Sequence, residues 1–155
     1  MPQYKILYES LRKQYNLPEF NSLAEDFDIE KIGEKETSFL LRELRRTINE
    51  KISAYLHLFE VFINPANPPV FVFTMLKNTK EDERKTIKEV YKELAKLEVE
   101  MMKLDTIYNE KKEAEFIKTA NKTWNSLKKK IEKLLESFDR ELEESNNSVQ
   151  KGYFG

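Results

Sequence analysis

Residues 79–108, TKEDERKTIKEVYKELAKLEVEMMKLDTIY, decide the fold of this chain. Their apolar side chains recur at Ile87, Val90, Leu94, Leu97, Met101, Leu104 and Tyr108, in alternating steps of three and four. That rhythm keeps one seam on a single face of an α-helix, and a β-strand, whose faces alternate every two residues, cannot use it. A second seam with the same rhythm runs through Ile117, Ala120, Trp124, Leu127, Ile131, Leu134 and Phe138. Carried forward, the first seam would fall on Glu115 and Lys122, so the register breaks near Asn109. A turn there folds the second helix back onto the first.

Working outward, Leu41, Leu44, Ile48, Ile52, Tyr55, Phe59 and Phe62 line one side of an earlier helix, predicted over 34–63 and stopped by Asn64-Pro65. At 1.5 Å per residue it would be roughly 45 Å long, close to the two later helices, and similar lengths favour side-by-side packing. Before it, Tyr4, Leu7, Tyr8, Leu11 and Tyr15 share a face of a short helix that Leu17-Pro18 ends. Pro18 starts a smaller one carrying Phe20, Leu23 and Phe27, and residues 28–36 read as a connector with its break at Gly33. The segment Pro65-Ala-Asn-Pro-Pro-Val-Phe-Val-Phe-Thr-Met-Leu-Lys77 is either a short helix opened by Pro68-Pro69 or an extended plug at one end. Thr79 is placed as the cap of the next helix, whose first turn holds Glu81, Asp82 and Glu83. The predicted fold is all-α: an antiparallel bundle of three long helices (34–63, 79–105 and 110–144) with shorter N-terminal helices packed across it. Residues 1–144 form one domain, and 145–155, polar and Gly-containing, form a flexible tail.

At 155 residues, 39% hydrophobic and 35% charged, the chain is one globular domain with a heavily solvated exterior. Lys and Arg (27) nearly cancel Asp and Glu (28), which removes any broad electrostatic pull toward nucleic acid or membrane. There is no Cys, hence no disulfide and no thiolate chemistry. The first ten residues lack a signal-peptide pattern and no apolar run approaches the length of a membrane span, so the expected location is cytoplasmic, with no membrane partner. Abundant Lys and Glu without Cys point to a thermophilic source, against which eleven Asn residues weigh.

Catalytic constellations are scarce. A di-iron carboxylate bundle needs two Glu-x-x-His pairs, and this chain has one His. His57 shares a helix face with Ser53 and Glu60, but that face points away from Ile48, Tyr55 and Phe62 toward solvent, where a base is poorly tuned. No Gly-rich phosphate loop occurs. Trp124, on the second seam, is a core anchor. These absences predict no catalytic residues, no metal, no cofactor and no small-molecule ligand. Two features predict a protein partner or self-association: the surplus apolar segment, with Val70, Phe71, Phe73 and Met75 as contacts, and Tyr153-Phe154 in the polar tail. An alternative is nucleic-acid binding by a lysine stripe at Lys111, Lys118, Lys122, Lys129 and Lys133, with Arg42, Arg45 and Arg46 as a second basic cluster.

The run Leu40-Leu-Arg-Glu-Leu-Arg-Arg-Thr-Ile-Asn-Glu-Lys-Ile, then residues 55–62, then Thr79-Lys-Glu-Asp-Glu-Arg opening another helix, resembles the helical domain of archaeal GINS replication-complex subunits over residues 39–97. The small β-domain usual in that family has no counterpart here, because 109–144 reads as helical. The resemblance implies a non-enzymatic scaffold in a DNA-replication assembly. The leading expectation is therefore a non-catalytic helical interaction protein, a small subunit or adaptor in a larger assembly.

Overall fold

The computed structural model describes residues 2–34 and 38–154, with side chains described for 2–33 and 38–144. Among them every regular element is helical: α1 Gln3–Tyr15, α2 Phe20–Asp26, a 3₁₀ turn over Ile29–Glu34, α3 Leu40–Ile63, α4 Val70–Asn78, α5 Glu81–Thr106 and α6 Glu110–Phe154. The all-α bundle of three long helices is the architecture found. Every residue of the two seams from Ile87 to Leu104 and from Ile117 to Phe138 is buried, as are Leu41, Leu44, Ile48, Ile52, Phe59 and Phe62. α3 and α5 run antiparallel, because Arg45 meets Asp105 while Ser53 meets Glu98. α5 and α6 are antiparallel in the same way, with Glu89 beside Lys130 and Glu83 beside Ser137. α3 and α6 therefore point the same way, and the rings of Phe62 and Phe138 stack at 4.8 Å.

The register break has a local cause. Asn109 Oδ1 accepts the Lys112 N–H (3.0 Å) and its carbonyl accepts the Glu113 N–H (3.0 Å), a side-chain cap that starts α6 anew after the turn. At the other boundary the expected cap is corrected. Thr79 is buried and turns back onto α4, its hydroxyl donating to the Met75 carbonyl at 2.5 Å, and Lys80 takes the position before α5. The segment after Pro68-Pro69 is helix rather than extended plug. Pro69 supplies the carbonyl that accepts the Phe73 N–H (3.1 Å).

Three further boundaries differ from expectation. α3 begins at Leu40, not near 34, because the connector forms its own 3₁₀ turn and buries Ile29 and Ile32. Gly33 lies within that turn, closely approached by the ring of Tyr4, and does not break the chain there. α6 continues from Glu144 to Phe154, where a tail was expected; no proline interrupts it and Gly152 stands only two residues from its end.

The N-terminal helices lie across α3 and α6. The Tyr15 hydroxyl donates to Glu110 (2.7 Å), Asp26 pairs with Lys128 (3.4 Å), and Phe27 packs 5.9 Å from Trp124. Tyr8 is fully buried with its hydroxyl on the Pro18 carbonyl (2.6 Å), and burial pushes its pKa up. Leu7, expected on the packed face of α1, is exposed.

Candidate interaction surfaces

The nine residues of α4 divide sharply. Val72 and Met75, three apart, are buried; Met75 is thus a core residue, which corrects its assignment as a contact. Val70, Phe71 and Phe73 on the outer side are 83%, 51% and 52% exposed. Their continuous β-prone pattern hides the split, because only the helical register separates Val72 from its neighbours. Lys77 lies 4.6 Å from the Phe73 ring centre, and Arg84 reaches back from α5 to the Leu76 carbonyl (3.3 Å), fixing the corner. The other predicted contacts, Tyr153 and Phe154, have side chains outside the described residues.

The basic cluster on α3 does not form one surface. Arg45 is fully buried: its Nε and a terminal nitrogen grip both oxygens of the equally buried Glu113 (2.7 and 3.1 Å), and its other nitrogen holds Asp105 (2.8 Å). Burial works against the charge, but the hydrogen bonds to Glu113 and Asp105 outweigh it and hold the guanidinium pKa above its usual value. A side chain so engaged cannot reach a phosphate, which corrects the assignment of Arg45 to nucleic-acid binding. Arg42 lies over the Tyr108 ring at 5.8 Å, and Arg46 is exposed beside Glu43 (3.5 Å). Arg45 stands four residues after Leu41 and three before Ile48, so the spacing itself places it on the buried seam; what spacing does not show is its partner, Glu113.

On α6, Lys111, Lys122, Lys129 and Lys133 are exposed and Lys118 is half-buried. They share the outward face with a residue the sequence reading passed over, Arg140, which is also exposed. Its signal was present: it stands seven residues after Lys133, continuing the alternation of seven and four.

The other candidates are structural. The Ser53 hydroxyl lies 2.8 Å from both Glu98 Oε2 and Asn49 Oδ1, while exposed His57 sits 3.5 Å from Glu60, so the three do not form a relay. Trp124 is buried as the core anchor, 5.4 Å from the Tyr55 ring, with the Lys51 ammonium 4.7 Å from its own ring. Desolvation lowers the Lys51 pKa. Among the described residues no group of three or more His, Asp or Glu is placed to hold a metal ion. An open cleft of about 500 Å³ beside the α5–α6 turn is lined by Leu104, Ile107 and Phe116, with Lys103 on its rim paired to Glu100 (3.0 Å). No described helix is long and apolar enough to cross a membrane. No protein-family model, curated protein or solved structure matches this chain.

Proposed function

We propose that this protein is a non-catalytic helical scaffold subunit that pairs with a second copy of itself through the outer face of α4. One observation carries the proposal: Val70, Phe71 and Phe73 are half or more exposed on a helix whose opposite face is buried in the bundle. A few large apolar side chains ringed by polar ones is the usual anatomy of an interface centre. A two-fold pair is self-complementary, and here its charges are compatible. With α4 helices antiparallel, Lys77 of each copy lies beside residues 64–70 of the other, which carry no charge. The resemblance of 39–97 to GINS helical domains would put such a subunit in a replication assembly, and that part of the proposal rests on the resemblance alone.

The test is mass in solution by light-scattering chromatography, with thermal melting, on the full chain and on Phe71→Ser/Phe73→Ser. The expected outcome is a dimeric parent and a monomeric variant that melts within a few degrees of the monomeric parent's value on dilution. A parent that stays monomeric at high concentration overturns the self-pairing. A variant that loses helicity shows instead that these side chains hold the bundle.

A further inference from the structure

The outward face of α6 carries six cations, Lys111, Lys118, Lys122, Lys129, Lys133 and Arg140, at intervals of seven, four, seven, four and seven. They form two interleaved series eleven residues apart, 111/122/133 and 118/129/140. Eleven residues make three turns at 3.67 per turn, so the row stays nearly parallel to the helix axis instead of winding around it. It is about 43 Å long at 1.5 Å per residue. Its position between the flanks of α6 is fixed by two ion pairs: Lys128 joins Asp26 of α2 on one side, and Lys130 joins Glu89 of α5 on the other. Those flanking lysines are occupied. None of the six in the row makes an ion pair with any described residue, although acids outnumber bases in the chain. Glu115 and Glu136 interrupt the face near its ends.

What the face lacks narrows the partner. It holds no aromatic side chain on which a single-stranded base could stack, and no large apolar side chain to enter a bilayer. An acidic protein helix would offer only exposed ion pairs, each worth little. A duplex is different, because its phosphates are dense enough to condense counterions, and lysines alone gain affinity by releasing them. We propose that the outer face of α6 binds the phosphate backbone of double-helical nucleic acid, independently of sequence. This surface lies on a different helix from the proposed pairing face, and neither proposal depends on the other.

The experiment uses the full chain and a fluorescein-labelled 24-base-pair DNA duplex of mixed sequence, with anisotropy titrations from 50 to 200 mM KCl. Each phosphate neutralised adds roughly 0.9 to the magnitude of the slope of log K against log salt. The expected slope lies between about −3 and −5. Lys122→Glu/Lys129→Glu/Lys133→Glu should weaken binding at least tenfold and flatten the slope by about 3, with melting unchanged because all three side chains are exposed. Should that variant fail to fold, Lys122→Gln/Lys129→Gln/Lys133→Gln should show the same flattening. Lys85→Glu/Lys88→Glu/Lys92→Glu on α5 alters net charge equally and should bind like the parent. Equal loss in that control, binding without salt dependence, a single strand of the same sequence bound as tightly as the duplex, or binding to phosphatidylserine vesicles but not to duplex would each overturn the proposal.

Discussion

The two ends of the bundle treat their unusual residues in opposite ways. Where α5 turns into α6, the chain satisfies its fully buried charges: Arg45 is wrapped by Glu113 and Asp105, Tyr15 donates to Glu110, and Phe39 meets Tyr108 edge-on at 4.7 Å, although Arg42 over the Tyr108 ring keeps a buried Nε with no hydrogen-bond partner and Ile107 is exposed. Where α4 crosses the other end, it does not. Val70, Phe71 and Phe73 face solvent, and Glu141 of α6, only 7% exposed, has an Oε2 with no hydrogen-bond partner. Ser137, one turn before Glu141, gives its hydroxyl to Glu83 (2.7 Å). A side chain already matched within the chain has no capacity left for a partner, whereas an unmatched one lowers stability until something covers it. At the α4 end an interaction would cover three apolar side chains carried by one short helix.

Breaking the closed end should have the largest effect. Arg45→Ala leaves Glu113 buried without its cation, and losses of this kind run to about 3–5 kcal/mol. Urea denaturation of the variant should show that loss, while Arg45→Met combined with Glu113→Leu should recover most of it, because the charge and its counterion leave together. A loss below about 1 kcal/mol for Arg45→Ala would mean that this end is fastened by its apolar contacts alone.

At the α4 end the effect should depend on the face. Met75→Ala removes buried volume and should cost about 2–4 kcal/mol in the same assay. Phe73→Ser, under monomeric conditions, should change stability by less than about 1 kcal/mol, the scale of the exposed contact with Lys77 that it deletes. Equal costs at the two positions would show that α4 is not seated by one face.

Periodicity carried the three long helices, since a seam of apolar residues at three-four spacing has one physical solution. It carried less at α4, where Val70, Phe71, Val72 and Phe73 are all apolar and only the packing of Val72 and Met75 onto the bundle separates inside from outside. It also places Arg45 on the seam, four residues after Leu41 and three before Ile48. That sign was overlooked because a buried arginine is tenable only with its partner, and Glu113 lies 68 residues away on another helix. Thr79 was misplaced for a related reason: Thr can bond backward to a carbonyl four residues earlier as well as forward to a helix N–H, and sequence does not choose between them. The row on α6 was readable from spacing. What spacing withheld is that Lys128 and Lys130 are paired while the row between them is not.

The smallest effect sharpens the contrast most. Burial raises the Glu141 pKa, and repulsion from Glu83 and Glu144 adds to the rise, against Lys80 and Ser137, which lower it. A carboxyl whose folded pKa lies above its unfolded value holds its proton more tightly in the folded state. Stability then falls as pH rises from the ordinary Glu value of about 4.3 to the raised folded value, and stays lower above it. Glu141→Gln has no proton to lose, so it should gain on the order of 1 kcal/mol at pH 7, equivalent to a melting point roughly 2–4 °C higher. The gain should shrink to nothing by about pH 3.5, below the unfolded value, where the parent is protonated in both states. A gain that persists at low pH would come from the neutral amide's hydrogen bonding and not from the charge. The difference between the two ends would then reduce to the apolar face of α4, and with it the case for a partner there would rest on Val70, Phe71 and Phe73 alone.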